Sequence, residues 1–599
     1  MNRGSFVACG VLVVLASVLV GAYDRGDFLF LEEIRVGMKG IGKTVVAGEA
    51  ISEFSVDVLG VIDEPGDRSD FIIVRVSGEA IGRSGGIAQG MSGSPIYVDG
   101  KLVGALSRAA TWSKELTPIG LVTPIEQMLG VIDEVRHVGL PSAPASGAVL
   151  PGVRVVELYS PPSRALVDAI PEAVFAYPVS TPLLVSGLSG RSLDLLVSGV
   201  DPRSVPSGLL SDFLPGALRP SVRGLSALGL NLVPLSGGAA RSSLGAASLV
   251  PGAAMGVALA TGDVTIGALG TVTYRDGDAL VGFGHPFLSN GQAAFPLTTA
   301  CVIDTMKTYD APFKLGTLGA TIGTVLLDRL PGVGGLVDRP TPLVDLELSI
   351  RDRDRAATRG FQVGLVDEPR IVWELLLATG FEAMDETLGR IGQGTVEVTY
   401  RIEGDGLPRE LVRRDVFLST QDIALYPPWQ LADIVSFLQY NAFQDPKITK
   451  ISAEISVTED LVAVQVNHLE LDQDLYQPGD TIHYTVELQT WRGEAKTVEG
   501  TLKIPDEFYS DYVTVRAYGG PRLPEEGEGP PEFANLEELM EAIEDLPSYD
   551  VLTVELFAPN AYAPGYDALA GVDKTRTGFG GQVLYDEREV TALVYAPEG

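Results

Sequence analysis

Cysteine is almost missing from this chain. Only Cys9 and Cys301 occur in 599 residues, and Cys9 lies in an N-terminal segment that reads as removable. One remaining thiol excludes an internal disulfide framework. Cys301 sits among Thr299, Ala300, Val302 and Ile303 and reads as a core residue. Histidine is nearly as scarce, with four: His137, His285, His468 and His483. One thiol and four scattered imidazoles make no zinc-ligand cluster, so no metal is expected. Neither a P-loop nor a dinucleotide fingerprint occurs, so no cofactor is expected. Positive charge is short as well. Against 78 acidic residues stand 44 Lys and Arg, a net charge of −34. An acidic surface of that size repels phosphate backbones and excludes nucleic acid as a partner. Beyond residue 22 no apolar run is long enough to span a bilayer.

What is present points to export and to β structure. Arg3, an apolar run from about Phe6 to Val20, and the small-residue stretch Val20-Gly21-Ala22 together read as a signal peptide over residues 1–22. The protein is thus expected in the periplasm, the cell envelope or the medium. Retained uncleaved, the same segment would keep the chain near a membrane. A hydrophobic content of 45% with 69 Gly and 39 Pro describes a turn-rich, mainly β protein of several domains.

One stretch carries chemistry: GGIAQGMSGSPIYVDGKLVGALS, Gly85 to Ser107. Ser92 lies between glycines, followed by Pro95, an apolar pair, the turn Asp99-Gly100 and a second apolar run. A tight glycine turn lets backbone N–H groups converge on one point, and a hairpin behind it keeps the turn rigid. In that reading Ser92 is a nucleophile and the Gly90 and Ser92 amides are oxyanion donors. Gly-x-Ser-Gly alone also occurs as a plain turn. The longer pattern is more restrictive. It resembles the nucleophile segment of chymotrypsin-like serine peptidases and, more closely, that of the SpoIVB peptidase family.

The resemblance implies a catalytic histidine and an acid. His285, in Val281-Gly282-Phe283-Gly284-His285-Pro286, resembles the family's strand–Gly–His segment, and Gly319 to Gly335 resembles the segment that follows it. In the family histidine precedes serine, whereas here all four histidines follow Ser92. The halves are either circularly permuted, which suits domains whose termini lie close together, or degenerate. An aspartate that the family carries shortly before its serine is replaced here by Ser77. Asp328, in the His285 half, is the first choice for the acid, with Glu79, Asp99 and Asp304 as alternatives.

The expected fold is two chymotrypsin-like β-barrel halves in permuted order, then a mixed α/β region and a C-terminal β-sandwich-like domain. Residues 23–140 form the serine-bearing half, ending in a short helix from Ile125. Residues 141–249 form a linker or intervening segment, and 250–355 the histidine-bearing half. The mixed region covers 356–450. The sandwich-like domain covers 451–599, with clean alternation at Thr481 to Leu488 and a capped helix at Asn535. His137, His468 and His483 read as surface residues. Two functions follow. One is an exported serine endopeptidase acting on protein or peptide substrates, regulatory or self-cleaving. The other is a peptidase fold without chemistry, serving as an envelope binding or scaffold module.

Overall fold

The computed structural model describes residues 23, 26–62, 70–112, 115–137, 155–157, 174–178, 182–199, 224–228, 230–235, 245–308, 311–508, 510–522, 533–558 and 569–595. The expected signal segment, most of the linker and residues 523–532 of the acidic loop lie outside these.

The glycine-punctuated apolar runs of the first 125 residues become six antiparallel strands: β1 (Lys39–Val45), β2 (Ile51–Ile62), β3 (Phe71–Ser77), β4 (Ser94–Val98), β5 (Lys101–Trp112) and β6 (Glu115–Pro124). A one-and-a-half-turn helix, α1 (Glu79–Ser84), leads into the glycine-rich loop before β4. The strands close a ring in the order β1-β2-β3-β6-β5-β4 and back to β1. Inward residues such as Phe54, Val56, Val74, Val76, Ile96 and Leu106 fill it. Every second side chain of a strand faces the interior, so alternation in the sequence becomes a closed core.

A second ring repeats the plan. Its strands are β7 (Ala254–Gly262), β8 (Thr265–Asp276), β9 (Ala279–Gly282), β10 (Gly291–Met306), β11 (Phe313–Arg329) and β12 (Gly332–Val337). They close as β7-β8-β9-β12-β11-β10, the same first-second-third-sixth-fifth-fourth order. The protein is therefore mainly β, with barrel architecture as expected. The apolar runs Ile266–Leu269 and Val272–Tyr274 lie on one strand, β8. Gly270 lies within it, and the Phe283 ring occupies the place a side chain there would take.

The expected helix at Ile125 is α2 (Ile125–Arg136). Its apolar face packs on residues of both barrels at once: Leu102 and Ala105 of the first, Ala279, Val281, Leu326 and Leu327 of the second. Both barrels lie in one compact unit, residues 1–188 with 225–343.

The other unit comprises residues 189–224 and 344–599. Here α3 (Gly190–Ser198) packs on α4 (Val372–Leu388), with Arg191 stacked on the Phe381 ring and ion-paired to Asp385 and Asp422. Next come α5 (Tyr426–Gln439) and a sheet of β13 (Val344–Asp352), β14 (Ala357–Leu365), β15 (Gly394–Asp405), β16 (Leu411–Ser419) and β17 (Lys447–Thr458). Two boundaries differ from expectation. The strand near Leu343–Ile350 belongs to this unit, where β13 pairs with β14 and β17. The alternating run at Ile455–Val457 lies in β17, which pairs with β13 and β15 in the mixed layer. Both segments alternate cleanly, and alternation does not say which sheet a strand joins.

The C-terminal domain is a sandwich. One sheet holds β18 (Ala463–Leu471), β19 (Thr481–Thr490), β20 (Ala495–Lys503) and Val583–Tyr585. The other holds β21 (Tyr512–Gly519), β22 (Val551–Ala558), β23 (Leu569–Gly578) and β24 (Glu587–Val594). One core joins them, with Val464, Val486 and Leu488 against Val513, Val515 and Leu556. His468 and His483 point outward from the first sheet. Asn535 caps α6 (Leu536–Asp545) by accepting the Glu538 amide at 2.9 Å.

Candidate active site

Ser92 sits in the turn between α1 and β4, fully buried. Gly90 and Gly93 take φ of +91° and +88°, the left-handed region that glycine enters at little cost. Four consecutive carbonyls of this turn are pinned. Gln89 O accepts the Lys314 amide at 2.9 Å, and Gly90 O accepts the Thr271 hydroxyl at 3.1 Å. Met91 O accepts the Ser94 amide at 3.0 Å and its hydroxyl at 2.6 Å, and Ser92 O accepts the Thr271 amide at 2.8 Å.

In a trans peptide the C=O and the following N–H point in opposite directions. Pinning Gln89 O and Met91 O therefore turns the Gly90 and Ser92 N–H groups away from those anchors. Among the described residues neither of these two amides donates to any acceptor. Two N–H groups beside a buried hydroxyl are thus left without an acceptor, the kind of donor an oxyanion would take.

His285 follows β9 through two consecutive residues of positive φ, Phe283 at +64° and Gly284 at +69°. For a bulky aromatic this is a strained backbone of order 1–3 kcal/mol, held by surrounding structure. Here the fully buried Phe283 ring lies against Gly270, where a Cβ would come within 2.4 Å of it. Gly284 itself lies against the first barrel. A Cβ there would sit 2.9 Å from Ser107 Cβ, and its carbonyl accepts the Thr123 hydroxyl at 2.7 Å. Conversely Gly93 lies against the second barrel, where Thr273 donates to its carbonyl at 2.8 Å. Each barrel thus grips the other's chemical segment.

The imidazole of His285 is fully buried, edge-on to Phe283 at 5.8 Å between ring centroids. Its Nδ1 lies 2.7 Å from Pro286 O. A carbonyl can only accept, so Nδ1 carries the proton and Nε2 keeps its lone pair. Burial pulls the pKa of His285 down to about 3; the bond to Pro286 O opposes this, and the Arg108 guanidinium adds to it. The ring is therefore neutral, in the tautomer whose Nε2 can accept a proton. Ser92 Oγ and His285 Nε2 are both buried without a hydrogen-bond partner, and no bond joins them in this state. An unsatisfied buried polar group costs about 1–3 kcal/mol. Here both groups, a hydroxyl and an imidazole nitrogen, belong to the two segments that the barrels hold against each other.

Asp328 is also buried, but its carboxylate is used elsewhere. Oδ1 accepts Phe287 N–H at 2.6 Å, and Oδ2 accepts Leu288 N–H at 2.7 Å and Asn290 N–H at 3.2 Å. Burial raises its pKa and these backbone bonds oppose the rise. Asp328 thereby shapes the loop that follows His285, and no hydrogen bond links it to the ring. The alternatives lie apart: Glu79 is exposed at the start of α1, Asp99 occupies the β4–β5 turn, and Asp304 is exposed near Arg83. What meets Nδ1 is a backbone carbonyl, which the side-chain pattern of the sequence cannot reveal.

Two residues of this site were not singled out from the sequence, Thr271 and Lys314. The available signal was phase. Lys314 shares the inward face of β11 with Gly316 and Leu318, an unusual place for an ammonium. Among the described residues no cluster of His, Cys, Asp and Glu could hold a metal ion. No helix among them is long and apolar enough to cross a membrane.

No curated protein and no solved structure matches the chain. A family does: residues 27–129, from the approach to β1 through the Ser92 loop to the start of α2, match the SpoIVB peptidase S55 family.

Proposed function

We propose that this protein is an exported serine endopeptidase of SpoIVB type, with Ser92 as nucleophile and His285 as general base and then acid. The observation that carries the reading is the pair of buried, unpartnered atoms, Ser92 Oγ and His285 Nε2, beside two free backbone N–H groups. The match over residues 27–129 supports a serine peptidase for the segment that holds Ser92. In the reaction Ser92 Oγ attacks a peptide carbonyl while Nε2 takes its proton. The Gly90 and Ser92 amides receive the developing oxyanion, and the imidazolium then protonates the leaving amine. Pro286 O holds the ring but cannot balance the imidazolium as a carboxylate would, so turnover is slow. Losing that acid elsewhere costs about 10⁴-fold. Slow cleavage suits a regulatory or self-cleaving role. Export rests on Arg3, the apolar run to Val20 and Val20-Gly21-Ala22.

Because both reacting atoms are buried, the substrate strand enters as the site opens. The second reading, a binding module without chemistry, is favoured by the missing Ser92–His285 bond. Incubating the full chain with a quenched, unfolded protein substrate separates the two. Cleavage that falls about 10³-fold or more in both Ser92→Ala and His285→Ala supports the peptidase. Equal cleavage by wild type and both variants, or none by wild type, leaves the binding module.

A further inference from the structure

Lys314 is fully buried in β11 of the second barrel, and among the described residues no carboxylate pairs with it. Its ammonium donates to Thr44 Oγ1 of β1 at 3.0 Å and to Thr271 Oγ1 of β8 at 3.3 Å. It therefore ties the two barrels together beside the serine loop. Thr271 in turn donates its hydroxyl to Gly90 O and its amide to Ser92 O. The backbone of Lys314 also holds this loop, its amide donating to Gln89 O at 2.9 Å.

A hydroxyl has one proton to give. With an ammonium proton directed at Thr271 Oγ1, that oxygen's own hydrogen is left to point at Gly90 O. Without the ammonium the hydroxyl can turn away, and the peptide between Gly90 and Met91 keeps only one of its two anchors, the Met91 amide on Ala88 O at 3.0 Å. That peptide lies between the two free amides.

We infer that Lys314 is a positioning residue for the peptidase site: through Thr271 it sets the Gly90–Ser92 backbone so that the two free amides converge on the oxyanion position. This rests on the peptidase reading. An ammonium is a costly way to fill a barrel interior, and its pKa is pulled down to about 7 by burial alone. An apolar side chain of similar length would pack there more cheaply. The hydrogen-bond relay explains what the amine is kept for.

The test uses the full-length protein and a fluorophosphonate probe, with the maximal inactivation rate and the half-saturating probe concentration measured separately. Lys314→Met is expected to lower the maximal rate about 10²-fold, the cost of a small misplacement at a reacting centre, with half-saturation nearly unchanged. Its melting temperature at pH 7 should rise or hold, because a buried charge is removed. Thr271→Val should reproduce the loss and Thr271→Ser should retain the wild-type rate. An unchanged maximal rate in folded Lys314→Met overturns the inference while leaving the peptidase intact. A loss that Thr271→Val does not share overturns it too, since the effect would bypass the relay. Failure of wild type to label at all would instead remove the peptidase reading on which it rests.

Discussion

At the scale of single residues the site is defined by groups left without partners. His285 shows what burial does to a base. Its imidazole titrates near 3 in the folded chain and near 6.5 when unfolded. Between those values the unfolded chain binds more protons, so stability is complete above about pH 6.5 and falls as pH drops through the window. His285→Gln removes this linkage. Urea midpoints taken near pH 7 and pH 4.5 should therefore fall further for wild type than for the variant. Equal falls would mean that the ring is solvated. The sequence singled out Ser92 through its glycine spacing and His285 through its resemblance to the family's strand–Gly–His segment, and the structure leaves a buried atom of each without a partner. The partner of His285 Nδ1 was not legible. Asp328 has the right burial but spends both oxygens on Phe287, Leu288 and Asn290, and nothing in a residue's identity says which donors it will meet.

At the scale of elements, the serine turn is shaped from outside itself. The hairpin of β4 and β5 could be read from Ile96, Tyr97, Asp99 and Gly100, and α2 from its apolar spacing. That Thr271 and Thr273 of β8 would grip Gly90, Ser92 and Gly93 could not be read, since those contacts span some 180 residues. Gly93 is the tightest point. A Cβ there would stand 2.0 Å from Thr271 O and 2.4 Å from Phe283 N, both backbone atoms, at a φ of +88°. Gly93→Ala should cost of order 3 kcal/mol in denaturant stability and abolish probe labelling together with it. A loss within about 0.5 kcal/mol would show that the two barrels do not meet there.

At the scale of the whole molecule, two barrels of one strand order are joined through α2, and the match to a known family covers only the first of them. Alternation carried the mainly β architecture and the C-terminal sandwich, because period two survives in the sequence wherever one face is buried. It did not carry sheet membership, and so β13 and β17 were expected in neighbouring domains. The acidic balance of −34 says what the surface repels and nothing about which bond is cut. In the proposed reaction the family-like serine, Ser92, is a nucleophile served by a histidine from the other barrel. Fluorophosphonate treatment of the full chain, followed by mass-spectrometric mapping of the adduct, tests it most directly. A single adduct is expected on Ser92, absent in Ser92→Ala and formed about 10³-fold more slowly in His285→Ala. An adduct that persists in Ser92→Ala, or one that forms on Ser92 at the same rate without His285, would contradict it.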